Sequence, residues 1–176
     1  LLEQAIQLGK ENQRLTEVPI AVSLRDRKMV GIVGDKEKIN KLIWCMVTGI
    51  AVMHAPDEVK IGVVADKNQA ADFEWILNLP HIWNTTGERR FFASDTEEVK
   101  ELLLYLEETA KEKSETNLLH YVVFVLNEKL LESYPLGKSS YIMENFKGVT
   151  IVYAAEFFSR IPKEAEAIIL NDAEQS

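Results

Sequence analysis

The chain has 176 residues, a formal net charge of −8, 47% hydrophobic and 27% charged residues. That length suits one domain with one sizeable core, and the composition is that of a folded chain and not a disordered one. The acidic balance argues against a nucleic-acid face, which needs clustered Lys and Arg, and no apolar run approaches the roughly 18 residues of a membrane span. The single cysteine, Cys45, rules out an internal disulfide or a CxxC zinc site. Set in the apolar run 42–47, it reads as a buried core thiol, and with no signal peptide visible the expected compartment is cytosolic.

The predicted elements alternate between strand and helix. Residues 1–13 read as a polar-rich helix that begins abruptly, as if cut from something longer. Residues 18–24 read as a strand, Arg25-Asp-Arg-Lys28 as a hairpin turn and 29–33 as a second strand. Asp35 is placed to N-cap a long helix reaching about His54. Its apolar residues Ile39, Leu42, Ile43, Met46, Val47, Ile50 and Met53 recur at three and four residues and spill past one face, which predicts burial on more than one side.

The run 59–65 has the continuous apolar character of a central strand covered on both faces and ends at Asp66. Residues 68–83, with "FEWILNLPHIW", read as a helix stopping near Pro80, and 90–93 as a short strand. Ser94 and Glu97 have capping-box spacing and open a helix to about Lys113. Residues 120–126 and 148–154 are further apolar strands, and 164–170 is a final strand or the start of a link. The alternation predicts an α/β fold of three layers, a mainly parallel sheet with helices on both faces. The 29–33 strand is expected at its centre, with the 35–54 helix packed on it.

Two stretches raise the question of nucleotide binding. "LGKSS" at 136–140 ends like a phosphate loop, yet the first glycine of that loop should stand at position 132, which is glutamate, and Pro135 interrupts the approach. The topologically correct place is 29–42, "MVGIVGDKEKINKL". It has the strand, Gly31, Gly34 and a long helix, with Asp35, Lys36 and Lys38 at the helix start. It lacks the lysine-plus-hydroxyl ending that holds phosphate and magnesium. The companion strand "HYVVFVLNE" ends in Asn127-Glu128, with a neutral Asn where an Asp would hold the metal. Both halves are incomplete at their assigned positions.

The segments "VGIVGDKEK" (30–38), "HAPDEVKIGVVAD" (54–66) and "WILNLPHIW" (75–83), followed by "HYVVFVLN" and "GVTIVYAAE", resemble the FtsK/SpoIIIE-type ATPases of type VII secretion. The likeness spans about 18–156 and is narrowest for the degenerate domain between the membrane helices and the motor modules. The composition, rich in Lys and Asn and poor in Arg, favours the EssC branch over EccC. The resemblance implies a P-loop-NTPase-like fold with a degenerate nucleotide site at Gly31, Gly34, Asp35, Lys36, Lys38, Asp66, Asn127 and Glu128. It also implies a place on the cytoplasmic side of the bacterial membrane within a hexamerising motor. The expected organisation is a membrane-proximal helix or linker over 1–17, the ATPase-like domain over 18–170 and a linker over 171–176.

On this reading the domain is not itself an enzyme, although the full-length protein would be an ATPase. It has no catalytic residues, no metal, no cofactor and at most weak ATP binding. Its expected partners are neighbouring modules and other secretion components, with no nucleic acid. Two alternatives stay open: an atypical nucleotide-binding domain using Lys36, Lys38 and Glu128, and a free-standing soluble interaction domain. His54, His81 and His120 share no ligand spacing, and His81 reads as a structural hydrogen-bonder. Trp44, Trp75 and Trp83 read as core or domain-contact residues. Glu97, Glu98, Glu101, Glu107 and Glu108 read as a solvated helix face, and Asp66 as a turn cap before a ligand-edge residue.

Overall fold

The computed structural model describes residues 21–112 and 119–171. Six strands, β1 (Met29–Val33), β2 (Val59–Val64), β3 (Phe92–Ala93), β4 (His120–Val125), β5 (Val149–Ala155) and β6 (Ala167–Leu170), form one sheet in the order β3-β2-β4-β5-β1-β6. Every pairing in it is parallel. The long apolar runs behave as parallel strands covered on both faces do: β4 is buried at all six positions and β2 at five of six.

Helix α1 (Lys36–Met53) covers one face, meeting β4 and β5 through Ile39 and Ile50 near Ala154 and Val122. After α2 (Lys67–Ala70) come α3 (Thr96–Glu112), α4 (Glu128–Glu132) and α5 (Ser139–Asn145). Helix α3 lies on the opposite face, where Tyr105 stacks edge-on to Tyr121 at 6.2 Å and Phe91 packs on both rings. The three-layer α/β architecture is therefore as expected.

Several local expectations are corrected. Strand β1 is interior, paired with β5 on one side and β6 on the other, but it is not central: four strands lie on one side of it and one on the other, so β4 and β5 hold the middle. The hairpin is absent among the described residues, since 21–24 is not a strand, and 18–20 lies outside them. Arg25–Lys28 is a turn all the same. It is pinned under the sheet by the buried Thr150 hydroxyl, which lies 2.5 Å from the Leu24 carbonyl and 2.6 Å from that of Arg27. His120 Nε2 stands 2.9 Å from the Thr150 hydroxyl oxygen.

The 68–83 segment is not one helix. After α2 it runs as 3-10 turns over Ala71–Asn78 and Pro80–Ile82, broken at an extended Leu79. Proline excludes helix at the residue before it, and the three-residue spacing of Phe73 and Ile76, both buried, suits a 3-10 turn.

Helix α1 buries a single stripe, Ile39, Ile43 and Val47. Leu42, Met46 and Ile50 are half-buried against the core beside it, while the rest of the apolar set meets solvent: Cys45 is an exposed thiol and not a core one, Trp44 is 53% exposed beside Trp75, and Val52 and Met53 are exposed.

The cap of α3 is shifted by one residue. Asp95 Oδ1 accepts the N–H groups of Glu97 and Glu98, and Glu98 closes back on the Ser94 N–H at 2.7 Å. Glu107 likewise leaves the solvated face, accepting from the Tyr141 hydroxyl at 2.5 Å and pairing with Lys111. The helix reaches Glu112, and Lys113 lies outside the described residues. Because an N-cap carboxylate contributes about 1 kcal/mol, Asp95→Ala is expected to destabilise the domain by about that much in urea unfolding, and Glu97→Ala to leave it within experimental error. The reverse order would restore the Ser94–Glu97 box.

Candidate functional site

Ligands of open α/β sheets bind beyond the carboxyl ends of the strands. At that edge β1, β5 and β4 end side by side, and a cleft of about 140 Å³ opens between α1, the segment after α2 and the ends of β4 and β5. Lys36 and Asn40 from α1, Gln69, Glu128, Glu156 and Arg160 supply its polar lining, with Ile39, Phe73 and Leu126 as apolar walls.

The start of α1 is already occupied by the chain's own groups. Asp35, in extended backbone, accepts the Lys38 N–H at 2.9 Å, and its other oxygen lies 3.0 Å from the Lys38 ammonium. That N–H and that ammonium hold its carboxyl below the ordinary 3.8. Lys36 reaches across to Asp72 at 3.0 Å, and Asn40 Nδ2 donates to the same Asp72 oxygen at 3.2 Å. The Lys36 ammonium lowers the Asp72 pKa in turn. Glu128 stands 3.8 Å from Arg160 Nε. In the lining two cations thus face the carboxylates of Glu128 and Glu156, and Asp72 adds negative charge beside Lys36.

The other predicted positions have structural work. Asp66 caps α2, accepting the Asn68 and Gln69 N–H groups at 2.9 and 3.0 Å, while Gln69 Oε1 accepts the Asp66 N–H. Asn127 caps α4 by accepting from Leu130 N–H at 3.2 Å and donates to Asp66 at 3.3 Å. This cross-link ties the ends of β2 and β4. A side chain at Gly31 would meet Ile161 at 2.7 Å, and one at Gly34 the Asn171 carbonyl oxygen at 2.9 Å. Both glycines admit close approach of the segment that carries β6.

Lys36 and Glu128 therefore share one cleft, Asp66 and Asn127 bind each other, and Asp35 and Lys38 form a cap. Asp72, Arg160, Glu156 and Asn40 were not foreseen, because the cleft gathers them from segments far apart along the chain. The "LGKSS" stretch lies away from this cleft: Gly137 packs on the Leu131 backbone, and Ser139 Oγ donates to Glu164 at 2.9 Å. His81 bonds the His54 carbonyl oxygen at 2.9 Å.

No family model matches the chain. Over 68 residues, 38% of its length, it is 40% identical to the ESX-4 secretion system protein EccC4 of Mycobacterium tuberculosis. Over 99 residues, 53% of its length, it is 24% identical to the ESX secretion system protein EccC of Thermomonospora curvata. Its curated relatives are EccC secretion proteins. The chain spans only 5% and 8% of their lengths. The cytoplasmic domain of the Thermomonospora curvata type VII secretion ATPase EccC superposes with a TM-score of 0.56 at 13% identity, over 78% of this chain and 17% of that one, a likeness of fold. Among the described residues no helix is long and apolar enough to cross a membrane.

The Asp35 cap has a pH signature. A carboxyl whose pKa is depressed on folding stabilises fully above its unfolded value, and that stabilisation is lost as pH falls through the folded value. The Asp35 carboxyl is expected to titrate below 3.8 by carbon-detected NMR, with the Lys38 amide shift following it. A midpoint at or above 3.8 would show the cap to be open.

Proposed function

We propose that this chain is the degenerate FtsK/SpoIIIE-type domain of a type VII secretion motor, of the EssC branch, lying between membrane anchor and motor modules. It is an ATPase-like coupling domain that hydrolyses no nucleotide itself. The sequence similarity to EccC proteins supports the setting.

One observation carries the non-catalytic part: the cleft where a nucleotide would sit is paired with itself. The helix start that would meet phosphate holds Asp35, Lys36 is held by Asp72, and the lining carries no excess positive charge. These exposed pairs are individually weak, so the expectation is feeble anion binding rather than none. The cleft is also smaller than the roughly 300 Å³ at which small-molecule sites begin. Metal and electrostatic clamps give phosphoryl-transfer transition states several kcal/mol, and the pairing of Lys36 with Asp72 and of Arg160 with Glu128 argues against such a clamp here.

On this reading residues 1–17 lead in from the membrane side, 18–170 form the domain and 171–176 lead to the next module. The partners are neighbouring modules of the same chain and of a hexamer at the cytoplasmic face. A second reading, an atypical nucleotide-binding domain, is favoured by the convergence of Lys36, Glu128 and Arg160 on one cleft.

Calorimetric titration with Mg-ATP separates the two. Binding in the millimolar range or weaker, unchanged by Lys36→Ala or Lys138→Ala, is expected. Micromolar binding abolished by Lys36→Ala would select the nucleotide-binding reading. In the full-length protein, deletion of residues 18–170 with membrane insertion verified is expected to stop export, and normal export would reject the coupling role.

A further inference from the structure

Among the described residues the first strand, β1, and the last, β6, are neighbours and run parallel, with Val30 opposite Ala167 and Val33 opposite Leu170. The chain therefore comes in at the amino edge of the sheet and leaves at the carboxyl edge. Tension along it pulls β1 towards the first edge and β6 towards the second. The pair is sheared lengthwise, and its evenly spaced ladder bonds are loaded together instead of one after another.

Both ends of this short ladder are reinforced. At the incoming end Glu166 N–H donates to the Met29 carbonyl at 3.0 Å, and the Glu166 carboxylate accepts the Lys28 N–H at 2.6 Å and the Met29 N–H at 3.4 Å. At the outgoing end Asn171 N–H donates to the Val33 carbonyl at 2.8 Å, and its side-chain amide to the Lys38 carbonyl at 2.9 Å. Ile161 and Ile168 close on the bare Cα of Gly31, so the two strands pack tightly at the middle of the ladder. On its other side β1 is held along its whole length by β5, so the β1–β6 seam is where a load would act. The cleft lined by Lys36 and Glu128 lies off this path, beside β4 and β5.

We propose that the domain is a tension-bearing link whose clamp is the β1–β6 shear pair, fastened by Glu166 and Asn171. The source of the tension rests on the coupling reading, while the clamp itself is a property of this chain alone.

The test is single-molecule pulling of the full 176-residue chain with Cys45→Ser, handled in two ways. Handles at the two termini load the pair in shear. Handles at the amino terminus and at Lys163→Cys, an exposed residue four positions before β6, peel it bond by bond. Forced unfolding follows the unfolding barrier, so the end-to-end rupture force is expected to exceed the peeling force about twofold or more. In the Glu166→Ala, Asn171→Ala double variant the end-to-end force is expected to fall about 1.5-fold at the same loading rate. Equal forces in the two geometries would overturn the clamp, and an end-to-end force unchanged in the variant would overturn its fastening. A weak clamp would leave the ATP titration as it is, and tight ATP binding would leave the force ratio as it is, so the two readings fail separately.

Discussion

The carboxyl edge of this domain depends on one carboxylate, that of Asp35, standing at the start of α1. A helix leaves its first N–H groups without internal partners and carries partial positive charge there. The same feature that makes helix starts good phosphate sites makes them good sites for a side-chain carboxylate one residue upstream. A capping carboxylate is tethered beside its target, so a phosphate would have to displace the Lys38 N–H bond and compete for the Lys38 ammonium. Lys36, the next cation, is turned sideways onto Asp72. On the proposed reading the strand–turn–helix geometry of a nucleotide site is kept, while Asp35, Lys36 and Lys38 are paired within the chain.

The glycines carry the same lesson. Gly31 and Gly34 stand where a phosphate loop would need bare backbone, and from sequence that is how such glycines are read. In the structure the close approach they allow is to Ile161 and Asn171, on the two sides of β6. A glycine records that something comes near; the residue type cannot say whether that is a ligand or another part of the chain. Here the space beside Gly34 belongs to the segment leaving the domain.

What could be read from the sequence follows from what is local. The strands at 59–64, 120–125 and 149–155 were legible because strands buried on both faces need unbroken apolar runs, and the start of α1 because Asp35 precedes the first helical residue. The exposure of Cys45 and Trp44 was not legible, since an apolar run says nothing of which side meets the sheet and which meets water. Nor were the Lys36–Asp72 and Glu128–Arg160 pairs, formed across more than thirty residues of chain. The rank of β1 in the sheet turned on whether 167–170 paired beside it, a question of register between the two ends of the described chain.

The self-paired cleft and the β1–β6 seam bear on one another. A nucleotide site that opens and closes with each ligand alters the spacing of the elements around it. In a link between an anchor and a motor that change would appear as slack, taken up before any force is passed on. On the coupling reading, an edge held by its own caps and pairs would keep its spacing without a ligand. Asp66 and Asn127 lock the ends of β2 and β4 to each other, Asp35 fixes the start of α1, and Asn171 bonds that same first turn through the Lys38 carbonyl. The residue that follows β6 is thus fastened to the first turn of α1. On the coupling reading, the Asp35 cap and the Asn171 bond meet at the first turn of α1, so the helix start and the outgoing end of the seam are held at one place.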